Sequence, residues 1–102
     1  MANTIEIVTM RLKDGVDREE FVRLNKDVEN NFVAVQPGFV DRETGINDDG
    51  EVVVVLHWES PEAAQGSMDK FPTAPETQEF TQILDMDTFK MTRYSHVDVG
   101  KG

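Results

Sequence analysis

The run Glu51-Val52-Val53-Val54-Val55-Leu56-His57-Trp58-Glu59 breaks the alternation that a half-exposed strand shows. Successive strand side chains point to opposite faces. Val52, Val54, Leu56 and Trp58 therefore share one side, and Val53, Val55 and His57 share the other. Both sides want cover. The segment Thr4 to Leu12 reads the same way, with Ile5, Ile7 and Thr9 on one face and Val8, Met10 and Leu12 on the other, which suits a central strand. Its end is the turn Lys13-Asp14-Gly15.

The pattern then changes period. Phe21, Leu24, Val28, Phe32 and Val35 recur at steps of three and four, the stripe of an amphipathic helix. Asp17 is placed to cap that helix, Glu20 to complete an acidic capping box, and Val16 to pack onto Phe21. Pro37-Gly38 closes it. Gly38 to Ile46 reads as a second strand, made polar by Asp41-Arg42-Glu43-Thr44 and so suited to an edge. Asn47-Asp48-Asp49-Gly50 is a hairpin turn rather than a calcium loop, because the later ligands of an EF-hand are missing. Ser60-Pro61-Glu62 opens a second helix with a cap, a first-turn proline and an acid at the positive dipole end. Ala63, Ala64, Met68 and Phe71 face inward, and Pro72 breaks it. A short helix from Thr73-Ala74-Pro75-Glu76 carries Phe80, Ile83 and Leu84. Met86 to Val97 is the last strand, with Phe89 and Met91 opposite Tyr94 and His96, and the tail Asp98 to Gly102 is expected to be loose.

The order β-α-β-β-α-β predicts a ferredoxin-like α+β domain, a four-stranded antiparallel sheet with helices on one face, and one domain over residues 1–102. One helical layer covers one side of the sheet. The valines on the other side would form a patch too apolar for a comfortable monomer. The expected cover is a second copy of the same sheet, giving a homodimer through sheet faces.

Composition narrows the function classes. Twenty acidic against ten basic residues give a net charge of -10, which opposes nucleic acid and anionic membranes alike. The chain has no cysteine, so disulfides, thiolate metal sites and cysteine nucleophiles are excluded. No apolar run reaches the length of a membrane span, and Met1-Ala2-Asn3-Thr4 lacks the shape of a signal peptide, so a cytoplasmic location is expected. No phosphate loop, nucleophile elbow or dinucleotide fingerprint occurs.

Several local motifs resemble the antibiotic-biosynthesis-monooxygenase-like domains of the dimeric α/β-barrel superfamily. They are the turn Lys13-Asp14-Gly15 into the long helix, Gln36-Pro37-Gly38-Phe39, Trp58-Glu59-Ser60-Pro61-Glu62-Ala63, and Pro75-Glu76-Thr77-Gln78-Glu79-Phe80. The resemblance runs from about Thr4 to Val97. It implies a dimeric barrel and, among the family's activities, cofactor-independent oxygenation of a small hydrophobic or phenolic compound, with no cofactor and no metal. The family also includes haem-degrading enzymes, in which a strand Asn, a Trp and a helical His act together. Trp58 matches that Trp, but Thr9 or Met10 stands where the Asn is expected, and Ser67, Met68 and Glu76 occupy the region of the helical His. Without that imidazole the iron has no axial ligand, and haem degradation is disfavoured.

Trp58 ends the central strand, where it either walls a substrate pocket or fills the core with its N–H on a nearby carbonyl. His57 points away from it and reads as a hydrogen-bonded interface histidine. Tyr94 and His96 share a face of the last strand, so they form either a proton-handling pair for a phenolic substrate or two residues at the rim. Asn25 on the first helix is a further substrate-binding candidate, and Arg42 on the second strand a possible third group. Two function classes follow: a monooxygenase-like enzyme in which Trp58 orients the substrate and His96 with Tyr94 manages protons, or a non-catalytic dimeric protein that binds a small ligand or serves in stress. An enclosed apolar pocket with an ionisable group aimed inside favours the enzyme.

Overall fold

The computed structural model describes residues 3–97. The C-terminal tail expected to be loose lies outside the described residues. The chain runs β1 (Thr4–Leu12), α1 (Arg18–Asn31), a 3-10 turn (Val33–Val35), β2 (Phe39–Ile46), β3 (Glu51–Trp58), α2 (Pro61–Lys70), a second 3-10 turn (Pro75–Thr77), α3 (Gln78–Gln82) and β4 (Leu84–Ser95). The four strands form one antiparallel sheet in the order β2-β3-β1-β4. This is the α+β ferredoxin-like arrangement, with the two most apolar strands in the centre and the polar β2 on an edge.

The helices lie on one face of the sheet. Val8 and Met10 of β1 and Val52, Val54, Leu56 and Trp58 of β3 are buried beneath them, together with Phe21, Leu24 and Val28 of α1 and Phe80 of α3. Asp17 caps α1, its carboxylate accepting from Glu19 N–H, and Ser60 caps α2 by accepting from Ala63 N–H at 3.1 Å. Asn47 Oδ1 accepts from the N–H groups of Asp49 and Glu51, both at 3.0 Å, and holds the β2–β3 turn.

The opposite face carries no helix. Ile5, Ile7 and Thr9 lie there beside Val53, Val55 and His57, and Val53 is 38% exposed. The two-faced apolar pattern of the central strands is therefore real in the fold, and among the described residues nothing covers one side of it.

Three boundaries differ from the pattern. The apolar stripe through Val35 predicts one continuous helix, but α1 stops at Asn31 and the chain tightens into a 3-10 turn. The tighter turn advances each residue by about 120° rather than 100°, so Val33 becomes the buried member and Val35 is 67% exposed. Leu84 starts β4 instead of ending the short helix, and β4 stops at Ser95. Between Thr9 and Arg11, where Met10 stands alone on β1, the partner strand runs from Lys90 to Asp85 and bulges. Thr88 Oγ1 pins the bulge, accepting from Arg11 N–H at 2.9 Å and donating to the Asp85 carbonyl at 2.6 Å. Met86 is turned outward there and is 45% exposed.

Candidate functional site

A cavity of about 50 Å³ lies between the sheet and the helices. Its floor is Glu6, Val8 and Met10 of β1, Arg42 of β2, and Val54, Leu56 and Trp58 of β3; Met68, Phe71 and Phe80 close it from above, and the β4 bulge turns Phe89 into it. Most of this lining is apolar. The exceptions on the floor are two ionisable side chains, Glu6 and Arg42.

Glu6 is 2% exposed. Its place follows from strand parity, since Glu6 shares a face with Val8 and Met10 rather than with its neighbours Ile5 and Ile7. A buried carboxylate needs partners, and Glu6 has two: Trp58 Nε1 donates to Oε1 at 3.2 Å, and Arg93 Nε donates to Oε2 at 2.8 Å. Arg93 Nη1 continues the chain to Gln65 Oε1 at 2.7 Å, while Arg93 Nη2 is buried with no hydrogen-bond partner. Carboxylate oxygens hold about four lone-pair sites, so Glu6 keeps acceptor capacity toward the cavity.

Arg42 approaches from the other side of β3. Its side chain is 4% exposed, with Nη1 donating to Glu29 Oε1 at 2.9 Å and Nη2 to Asn25 Oδ1 at 2.7 Å. Thr44 Oγ1 also donates to Asn25 Oδ1, at 3.4 Å. Burial lowers the Arg42 pKa, and the Glu29 hydrogen bond and charge oppose that shift. A guanidinium stays protonated through such changes.

The structure brings some of the sequence candidates together and separates others. Trp58 walls the cavity and packs edge-on against Phe39, with ring centroids 5.7 Å apart. Its N–H is met by a carboxylate, not by the carbonyl a core aromatic was expected to use. Asn25 holds Arg42 in place and is not part of the cavity lining. Tyr94 pairs in register with Ile5, so it stands on the uncovered face, 51% exposed. His96 follows the end of β4, exposed, with its backbone N–H donating to the Asn3 carbonyl at 2.8 Å. Neither Tyr94 nor His96 lines the cavity, and no hydrogen bond joins them among the described residues. His57 also faces away from Trp58, its Nδ1 2.6 Å from Asp41 Oδ1. Among the described residues no group of three or more His, Asp or Glu is placed to hold a metal ion. No helix among them is long and apolar enough to cross a membrane.

Glu6 and Arg93 are the site residues that sequence reasoning missed. The signal was present in the shared parity of Glu6, Val8 and Met10, which puts a carboxylate on the best-covered face of a central strand.

No protein-family model matches the chain, and no curated protein matches it in sequence. Solved structures do match in shape. SnoaB, a cofactor-independent oxygenase from Streptomyces nogalater, superposes with a TM-score of 0.73 at 17% identity, over 99% of this chain and 100% of that one. The monooxygenase from the ActVA-Orf6 gene of Streptomyces coelicolor, solved with nanaomycin D, gives 0.72 at 19% identity over 99% and 93%. A Chloroflexus aurantiacus protein assigned provisionally to the antibiotic biosynthesis monooxygenases gives 0.64 at 15% identity over 97% of both chains. The chain thus has, over nearly its whole length, the ferredoxin-like α+β fold of antibiotic-biosynthesis-monooxygenase-type proteins.

Proposed function

We propose that the protein is a cofactor-independent monooxygenase-type enzyme acting on a small hydrophobic, phenolic compound held in the cavity between sheet and helices. One observation carries this reading: a buried carboxylate, Glu6, stands on the cavity wall with the Trp58 indole hydrogen-bonded to it. The likeness in fold to two oxygenases raises its standing without naming a substrate.

The chemistry balances without an added reductant. Glu6 takes the phenolic proton, and the electron-rich phenolate carbon forms a bond to dioxygen. The peroxide takes the proton back from Glu6; loss of the ring C–H and cleavage of the O–O bond then release water and leave a quinone. The substrate supplies all four electrons that dioxygen accepts. Trp58 offers a flat apolar wall for the ring, and Met68 with Phe71 excludes water.

A volume of about 50 Å³ is room for a few waters at roughly 10–15 Å³ each, whereas a dry cavity that admits benzene measures about 150 Å³. Binding therefore requires the half-buried Met68 and Phe71 to swing outward, which an unbranched thioether does readily. The reading includes self-association through the uncovered sheet face. Tyr94 and His57 then lie at or near the twin subunit rather than at the substrate.

Oxygen uptake with a panel of phenols and naphthols, in wild type and in Glu6→Gln, is the test. Turnover in wild type that falls at least about 100-fold in Glu6→Gln, the usual scale of general-base loss, supports the reading. Turnover that survives Glu6→Gln but is lost in His96→Ala returns the proton chemistry to Tyr94 and His96. The second reading, a non-catalytic protein that sequesters a ligand, is favoured by one fact: no histidine lines the cavity. Tight binding with no oxygen uptake by any compound would establish it.

A further inference from the structure

Met10 from β1 and Met68 from α2 both border the cavity. Met10 is 4% exposed beneath the helices, whereas Met68 is half-buried and stands between the cavity and solvent. The make-up of α2 explains that placement. Ala64 and Ser67 are buried and small, so the helix sits close to the sheet. Met68 follows Ala64 by one helical turn and precedes Phe71 by another, so the three share a stripe. Phe71 is braced edge-on by Phe32, with ring centroids 5.7 Å apart. Met68 is an unbranched, flexible thioether, which makes it the freer half of the closure.

Oxidation would change what holds Met68 in place. Hydrogen peroxide delivers one oxygen atom to a thioether: an S–O bond forms as the O–O bond breaks. The sulfur gives up two electrons, and the proton of the transferred oxygen leaves with hydroxide as water. The product is a polar, chiral sulfoxide whose oxygen is a hydrogen-bond acceptor. A polar oxygen set against a mostly apolar lining without a donor is disfavoured. A cavity of about 50 Å³ also gives little slack for an added atom in a close-packed interior. Turning the oxygen out to water resolves both problems.

We propose that Met68 is an oxidation site at which conversion to the sulfoxide swings the side chain outward and opens the cavity to water. Trp58, the single tryptophan of the chain, is 1% exposed on the wall of the same cavity and reports that opening. Either this gate or the oxygenase reading can fail without the other, because the gate rests on cavity geometry alone.

The test treats the full chain with dilute hydrogen peroxide and follows it by tryptic mass spectrometry and Trp58 fluorescence. Met68 is expected to oxidise after Met86, which is 45% exposed, and before Met10. As the Met68 sulfoxide accumulates, Trp58 emission should move to the red. Acrylamide quenching should rise severalfold, the response to a gate shifted about tenfold toward its open position. Methionine sulfoxide reductase should reverse both changes, since the outward sulfoxide is within its reach. Met68→Leu keeps an apolar closure without sulfur and should show neither change under the same peroxide. Reversal by the reductase is a second measurement on the natural chain if that variant fails to fold. Met68 left unmodified once Met86 is fully oxidised overturns the proposal, as does a change the reductase does not reverse. So does an unchanged or blue-shifted emission, the result of a sulfoxide turned inward to Arg42. The same red shift in Met68→Leu, or a shift that comes with loss of the helical circular dichroism, overturns it equally.

Discussion

Glu6 and Trp58 hold each other in place through one hydrogen bond of 3.2 Å inside an apolar cavity wall. Trp58→Phe keeps an aromatic ring there and removes the donor that Oε1 has among the described residues, leaving a buried acceptor unmet. A loss of about 1–3 kcal/mol of stability is expected, read as a lower urea midpoint with unchanged slope. Glu6→Gln keeps the volume but takes away the charge opposite Arg93. Arg93 is partly exposed, so the expected cost stays near the lower end of the range for charged hydrogen bonds, about 1.5–3 kcal/mol, and oxygen uptake should fall far more than stability does. Trp58 was legible only as a side chain that either walls a pocket or fills the core, since both readings put the indole of an apolar strand under the helices. Its partner was harder to see, since a glutamate between two isoleucines reads as solvent-facing until the parity of Val8 and Met10 is followed back to it. The join between Asn25 and Arg42 needed the fold, because it links residues seventeen positions apart on α1 and β2.

The elements around the cavity depend on a few backbone positions. Gly38 has φ +82, and a Cβ placed on it would sit 2.5 Å from Ala63 Cβ at the start of α2. Gly38→Ala therefore adds backbone strain and a clash that pushes α2 off the sheet end where Glu59 N–H donates to the Gly38 carbonyl at 2.8 Å. A destabilisation of about 1–3 kcal/mol is expected from thermal or urea unfolding. Ser60→Ala removes the α2 cap and should cost about 1 kcal/mol by the same measurement, with no clash to add to it. Caps and turns of this kind were readable in the sequence because their chemistry is local. The end of α1 and the β4 bulge were not. Phe32 and Val35 continue a helical stripe on paper, and only the packing of Val33 beneath the helices selects the tighter turn.

One whole face of the sheet, with Ile5, Ile7, Val53 and Val55 at its centre, carries no covering element among the described residues. Full burial of an aliphatic side chain contributes roughly 1.5–3 kcal/mol, and several from each of two paired copies would outweigh an association cost of several kcal/mol. Sedimentation is expected to show twice the 11.5 kDa of one chain. Val55→Lys should shift that to the single-chain mass with the helical circular dichroism retained; a wild-type monomer at micromolar concentration would sink the sheet-to-sheet pairing. With -10 on each chain, the association should tighten as salt rises, because screening weakens the repulsion between like-charged subunits. The hydrophobic periodicity by itself determined the element order, the central strands, the polar edge and the two-sided demand for cover, since these depend on side-chain alternation and local turn chemistry. The cavity and the register row of Arg42, Leu56, Glu6 and Arg93, one residue from each strand, were decided only by tertiary structure. Strand register sets which residues of four separate segments stand side by side, and no local rule in the chain specifies that alignment.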